Sequence, residues 1–211
     1  MTVQVQPDRE AALANGRAFL IARVRDSNLA GEAFFGGHAQ AIAACAATMA
    51  DHFFTGATLL VFGSGPHATD AQHNAVEFVH PVLPGCRALP ALSLTNDMAT
   101  VTGLLQTDAA ADVYAHHLRI LGRPGDIALA LAHAPVHPSI SRGLEAGRAA
   151  GMLTVALTSG DESVEREHVD YVFHAQGSDR AAAHELHLAT YHMLWELVHI
   201  VLNHRGIRAV S

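Results

Sequence analysis

His73 and Glu77 are four residues apart in a stretch, 67–80, whose pattern predicts a helix, so they share one face. A His–Glu pair at that spacing suits a divalent metal, which takes imidazole nitrogen and carboxylate oxygen. A second concentration of donors lies near the end of the chain. His184, His187, His192 and His199 sit among Leu186, Leu188, Met193, Leu194, Trp195 and Leu197 on a long predicted helix. At 100° per residue, His184, His192 and His199 fall within an arc of about 80°. His184 and His192 are also roughly 12 Å apart along the axis. They reach one ion only by leaning toward each other; otherwise one of them serves a different site. The loop Gly63-Ser64-Gly65-Pro66 follows an apolar run and precedes a helix, a place where backbone N–H groups converge on an anion. It has neither the third glycine of a dinucleotide loop nor the lysine of a phosphate-binding P-loop.

These residues need a frame, and the composition supplies one. The chain has 211 residues, half of them hydrophobic and 16% charged, enough to bury a sizeable core in a single domain. Thirteen basic residues, all arginine, stand against twenty acidic ones, a net charge of −7. With no lysine, Schiff-base and pyridoxal chemistry are excluded, and the acidic balance argues against nucleic acid as a partner. The low charge content points to surface hidden by self-association. Cys45 and Cys86 are far apart in apolar surroundings and outside any CxxC pair, so a reducing, cytoplasmic setting is expected. The first twenty residues lack a signal-peptide pattern, and no apolar run reaches the length of a membrane span.

The pattern predicts two N-terminal helices, 8–25 and 37–54, before an α/β core. Strands are expected over 57–62, 87–94, 126–131, 152–157 and 171–174. Helices are expected over 67–80, 97–122 in one or two pieces, 138–150, 161–168 and 179–204, the last stopping before Gly206. Alternating strands and helices imply one open, doubly wound, five-stranded parallel sheet in a single domain, 1–211, with a helical pair over 1–55 and the core over 56–205. Ligands in such sheets bind beyond the carboxyl ends of the strands, here Gly63–His67, Thr95–Asp97, Ala132–His137 and Thr158–Asp161.

The run from Gly63 to Phe78 resembles the GNGGSxxDAxHxAxEF signature of the SIS-domain sugar isomerases, specifically the phosphoheptose isomerase group. The likeness continues through Leu94–Asp97, Asp108, Gly125-Asp126 and Gly151-Met152, and His184-Glu185-Leu186-His187 through His192 is similar to the group's QExHxxxxH motif. The resemblance implies a flavodoxin-like SIS domain, a homotetramer with interfacial active sites, and a small-molecule sugar or sugar-phosphate substrate. It implies zinc or another divalent metal on His73, Glu77, His184 and His192, with histidine in place of the group's glutamine at 184. It implies Glu77 and His192 as the catalytic acid/base pair, and Ser64, His67, Asp97, His133 and His137 as substrate-binding positions.

The departures concern phosphate. Where the family has a serine-rich STSGxS loop, this chain has Ala132-His133-Ala134-Pro135-Val136-His137. The signature serine is His67, its asparagine is Ser64, and Pro66 and Pro135 have no N–H to donate. The metal half of the site is kept and the phosphate half is rebuilt. The expectation is a zinc-dependent aldose–ketose isomerase with a degenerate phosphate loop. The alternatives are a metal-dependent enzyme on a non-phosphorylated substrate, and a non-catalytic tetrameric SIS protein of the kind that associates with replication initiators.

Overall fold

The computed structural model describes residues 7–82, 85–107, 109–176 and 179–205. Asp108 and Gly206 lie outside the described residues. Five strands, β1 (Leu59–Gly63), β2 (Ala91–Ser93), β3 (Ile127–Leu131), β4 (Leu153–Ser159) and β5 (Tyr171–Ala175), form one parallel sheet in the order β2-β1-β3-β4-β5. The register sets Gly63 beside Leu131 and Leu131 beside Leu157, so the loops leaving β1, β3 and β4 emerge along one edge. β1, β3 and β4 are buried along their whole length, as their continuous apolar runs require of strands covered on both faces.

The helices are α1 (Pro7–Phe54), α2 (Pro66–Val79), α3 (Met98–Leu105), α4 (Val113–Leu121), α5 (Pro138–Ala149) and α6 (Arg180–His204). α2 packs on β1 and on α6, while α4 packs on α5. Leu60, Phe62, Ala128, Ala130 and Ala156 join Tyr114, Leu118, Ile140 and Leu144 in one core cluster. Alternate residues such as Leu59 and Val61 therefore face the opposite side. Each fully buried Leu or Phe contributes about 1.5–3 kcal/mol. Gly143 lets α5 approach: a Cβ there would lie 2.8 Å from the Phe62 ring.

The chain divides into two compact units, Met1–Gly37 and His38–Ser211. The first, from Pro7, is helical, with Leu13, Phe19, Leu20, Ile21, Val24 and Leu29 exposed. The expected helical pair is a correction: one helix runs unbroken over Pro7–Phe54. Gly31, Gly36 and Gly37 are not in the left-handed region, and an interior glycine costs a helix only about 1 kcal/mol relative to alanine. The strand expected over 87–94 pairs only at Ala91–Ser93, because Pro90 has no N–H and serves by accepting from Leu59. The 97–122 segment is two helices, α3 and α4, with a 3-10 turn at Ala110–Asp112 between them. The helix expected over 161–168 is only a 3-10 turn, Arg166–His168, in a polar segment with no apolar stripe to bury. Cys45 is buried, Cys86 is half-buried, and neither is in a disulfide.

Candidate metal and substrate site

The loop leaving β1 turns sharply into α2. Gly63 is needed there, since a Cβ would sit 2.5 Å from the carbonyl oxygen of His67. Gly65 supplies a positive φ of 62° as the cap, and Pro66 fills the first helical position. α2 then buries Ala71, Ala75 and Phe78. α6 begins at Asp179, whose carboxylate accepts from the N–H groups of Ala181 and Ala182, and it buries Leu186, Leu194, Trp195 and Val198. The seam between α2 and α6 collects the donor residues.

Two groups form along that seam. In the first, His73 Nε2 is 3.1 Å and His192 Nε2 is 4.0 Å from the same Glu77 oxygen, Oε1. The two imidazoles meet edge to face at 5.1 Å. The Tyr191 hydroxyl lies 2.9 Å from His73 Nδ1. Burial, with the charges of Asp70 and Glu77, raises the Tyr191 pKa, so this hydroxyl stays neutral. In the second group, Asp70 places Oδ2 3.0 Å from His67 Nδ1 and Oδ1 3.0 Å from His184 Nε2. In each group one ligand atom per residue lies within 4.8 Å of the others.

Of the four residues expected around one metal, His73, Glu77 and His192 come together and His184 stands with Asp70 and His67. The reason is the rise of α6, about 12 Å over eight residues. His187 is fully buried beside His67, with ring centroids 5.5 Å apart. Burial, only partly opposed by the backbone of Thr158, pushes its pKa down to about 4. His199 is tied to the carbonyl oxygens of Trp195 and Arg87, away from both groups.

A cavity of about 680 Å³ opens beside the second group. Ser64, Pro66 and His67 after β1 line it with Ala132, His133, Pro135 and His137 after β3 and Arg180, His184 and Glu185 of α6. This is the point where the chain turns from β1 outward to β2 on one side and from β3 to β4 on the other, the place such sheets bind ligands. Ser64 Oγ is 3.3 Å from Ser139 Oγ. His133 Nδ1 is 2.8 Å from Ser159 Oγ, and burial, followed by the charges of Arg180 and His67, lowers its pKa. His137 caps α5, its Nδ1 accepting from the N–H of Ser139. Asp97 does not line the cavity. It caps α3 by accepting from Thr100 N–H, and hydrogen bonds from the Thr100 side chain and then from that N–H hold its carboxyl below its ordinary pKa.

Three residues escaped the sequence reading. Asp70 stands in the signature run, one turn before His73, and that spacing was its only signal. Tyr191 is a polar-tipped aromatic two turns after His184, on the same face. Arg180, directly after the helix cap, is the single arginine of the cavity wall among the described residues.

A family model described as the SIS domain matches residues 27–159. The chain belongs to the SIS-domain family, and the relatives it matches there are phosphoheptose isomerases. The phosphoheptose isomerase of Thermodesulfovibrio yellowstonii is 31% identical over 173 residues, covering 81% of this chain and 85% of that protein. That of Chlorobaculum parvum is 33% identical over 168 residues, covering 77% and 79%. The solved structure of a phosphoheptose isomerase from Francisella tularensis superposes with a TM-score of 0.77 at 22% identity, covering 90% of this chain and 98% of that one. It shares the fold of the five-stranded parallel sheet and its flanking helices. No helix among the described residues is long and apolar enough to cross a membrane.

Proposed function

We propose that the protein is a metal-dependent aldose–ketose isomerase, phosphoheptose isomerase-like, whose phosphate end has been rebuilt. The observation that carries this reading is the convergence of His73, Glu77 and His192 across α2 and α6. Two imidazoles and a carboxylate within 4.8 Å suit zinc, leaving coordination positions for substrate oxygens. A divalent ion held there would polarise a sugar carbonyl or hydroxyl oxygen.

The chain's own groups move the protons. Both imidazoles face Glu77 Oε1, so a proton can travel on Oε2. Glu77, only 13% exposed, takes the proton from the carbon next to the carbonyl and returns it to the neighbouring carbon. His192, whose side chain is 35% exposed, carries the matching proton between the two oxygens while its Nε2 is released from the ion. Aldose and ketose differ only by these two transfers, so the scheme needs no other reactant. His73 is the orienting ligand, held from behind by Tyr191.

Substrate binding follows the cavity wall. Pro66 and Pro135 have no N–H, Ala132 has no hydroxyl, and Ser64 is engaged with Ser139. Arg180 is the guanidinium on the described cavity wall that would pair with an anionic group there, while burial lowers the pKa of His133 and so disfavours its cationic form. The proposed substrate is a small sugar, with Arg180 replacing the missing hydroxyls wherever a phosphate is present. A non-catalytic SIS protein has no need of the retained ligand set, which weighs against that alternative.

The test is an isomerase assay on purified, zinc-loaded protein with sedoheptulose 7-phosphate and with the corresponding unphosphorylated ketose. The expected result is zinc-dependent isomerisation with weak use of the heptose phosphate. A kcat/KM above about 10⁴ M⁻¹s⁻¹ on sedoheptulose 7-phosphate would show that the rebuilt loop still recognises phosphate fully. No isomerisation of any aldose or ketose by zinc-loaded protein would refute the enzyme reading.

A further inference from the structure

Where the 680 Å³ cavity meets the ends of β1 and β3, much of its wall is apolar. Ala132 and Ile140 are buried there, at 4% and 1% exposed, and Pro66, Pro135 and Ala181 stand exposed around them. We infer that the ligand end seated in this cavity is uncharged and apolar, so that the preferred substrate is a methyl-terminated deoxy sugar rather than a sugar phosphate. The inference rests on the sugar reading above and narrows its substrate class.

The first observation is charge. A phosphate monoester carries about −1.5 to −2 at neutral pH. Arg180 and Glu185 bring one positive and one negative charge to the same wall, and these offset each other. Burial, followed by the charges of Arg180 and His67, disfavours the cationic form of His133. A dianion would enter a partly desolvated space without matching charge, whereas an uncharged sugar brings none to match.

The second is the state of the polar groups. The Ser64 hydroxyl is engaged with Ser139 Oγ at 3.3 Å. His133 uses Nδ1 on Ser159 Oγ, and His137 uses Nδ1 to accept the N–H of Ser139. Each of these two rings keeps only Nε2 for a ligand. One uncharged nitrogen matches a sugar hydroxyl, which both donates and accepts, but not the several donors that three phosphate oxygens require.

The third is the apolar surface itself. Pro66 and Pro135 have no N–H, and Ala132, Ile140 and Ala181 offer only carbon side chains. A methyl group covering this surface gains roughly fourfold in affinity. A terminal hydroxyl held there without a partner loses roughly 5–150-fold. The metal group recognises the reacting end of the sugar, and none of His73, Glu77 and His192 lines the cavity. Recognition of the far end can therefore be measured as binding, without turnover.

The experiment is a binding series that varies only the last carbon: 7-deoxysedoheptulose, sedoheptulose and sedoheptulose 7-phosphate. Each is titrated into full-length, zinc-loaded protein and followed by saturation-transfer difference NMR. The deoxy sugar is expected to bind roughly 5–150-fold more tightly than sedoheptulose, with its methyl protons receiving the strongest transfer, and the phosphate to bind most weakly. Ala132→Ser puts one hydroxyl on the wall and should shrink the preference for the deoxy sugar several-fold. Ala181→Ser, at an exposed position on the same wall, should do the same and serves if circular dichroism shows the buried variant misfolded. Tightest binding of the phosphate overturns the proposal, and so does equal or tighter binding of sedoheptulose, or no binding of any of the three. In each of those cases zinc-dependent isomerisation of any sugar leaves the isomerase reading standing. The expected order of binding in a protein that isomerises no sugar removes that reading and keeps the assignment of the cavity.

Discussion

Tyr191→Phe removes one oxygen atom and leaves the buried ring in place, which makes it a clean probe of the metal group. The Tyr191 hydroxyl is 2.9 Å from His73 Nδ1, and the Tyr191 ring packs 5.6 Å from His73 and 4.9 Å from His192. When His73 Nε2 coordinates a metal, Nδ1 carries the remaining proton and must donate it. The phenol oxygen accepts it, fixing the tautomer and the ring plane. In the variant Nδ1–H faces a C–H edge, and the imidazole loses both its orientation and part of its basicity. Partners of this kind are worth about 10–100-fold in metal affinity, or about 1.4–2.8 kcal/mol at 1.4 kcal/mol per decade. The cost to folding is smaller, about 0.5–1.5 kcal/mol for one hydrogen bond, because the packing of the ring survives. Competition with a chelator of known zinc affinity separates the two, with urea unfolding of the stripped protein giving the folding part. The kcat/KM of protein limited in zinc should fall with the affinity and recover at saturating zinc. An unchanged zinc affinity in Tyr191→Phe, alongside its loss in His73→Ala, would refute the claim that Tyr191 orients the ligand.

Arg180→Ala should lower kcat/KM on phosphorylated ketoses by roughly 10–150-fold, the worth of about 1.5–3 kcal/mol for a bond to a charged group, and leave unphosphorylated ketoses within about twofold; equal losses on both would remove Arg180 from phosphate recognition. Burial raises the Asp170 pKa, but the N–H and hydroxyl of Thr154, at 2.9 and 2.8 Å, and Arg148, at 2.7 Å, outweigh it and hold the carboxyl below its ordinary range. A depressed folded value contributes stability that is complete above the unfolded pKa, about 3.9, and is lost as pH falls through the folded value. Asp170→Asn should therefore unfold more readily at pH 7, by about 1 kcal/mol after solvent screening, and converge with wild type in acid; a constant difference across that range would contradict the pairing. Light scattering at micromolar concentration should report a homotetramer, for which the exposed Phe19, Leu20, Ile21 and Val24 of α1 offer contact surface; a monomer would refute it.

The parts of this molecule that are legible in the sequence share one property: their partners are near in the chain. β1 and β3 announce themselves as apolar runs closed by glycine or alanine. His73 and Glu77 are read together because four residues of one helix bring them to one face, where they lie 3.1 Å apart. The bounds of α1 were missed for the opposite reason. Its glycines suggest a break locally, yet each carries a penalty that a long helix tolerates. The site residues that went unseen all act across elements. Asp70 of α2 meets His184 of α6, Tyr191 of α6 meets His73 of α2, and Arg180 bears on His133 of the loop after β3. Spacing alone also leaves the number of side-chain groups undetermined. His184 and His192 differ by about 80° around α6, which favours a common target, and by about 12 Å along it, which favours two. The angle is a property of the sequence, whereas the axial offset matters only once the second helix is laid alongside. In this fold α2 runs beside α6 with Asp70 opposite His184 and Glu77 opposite His192. The same four-residue motif that would serve one ion on converging side chains is thereby stretched over two groups, and His67, standing where the family has a serine, completes the second.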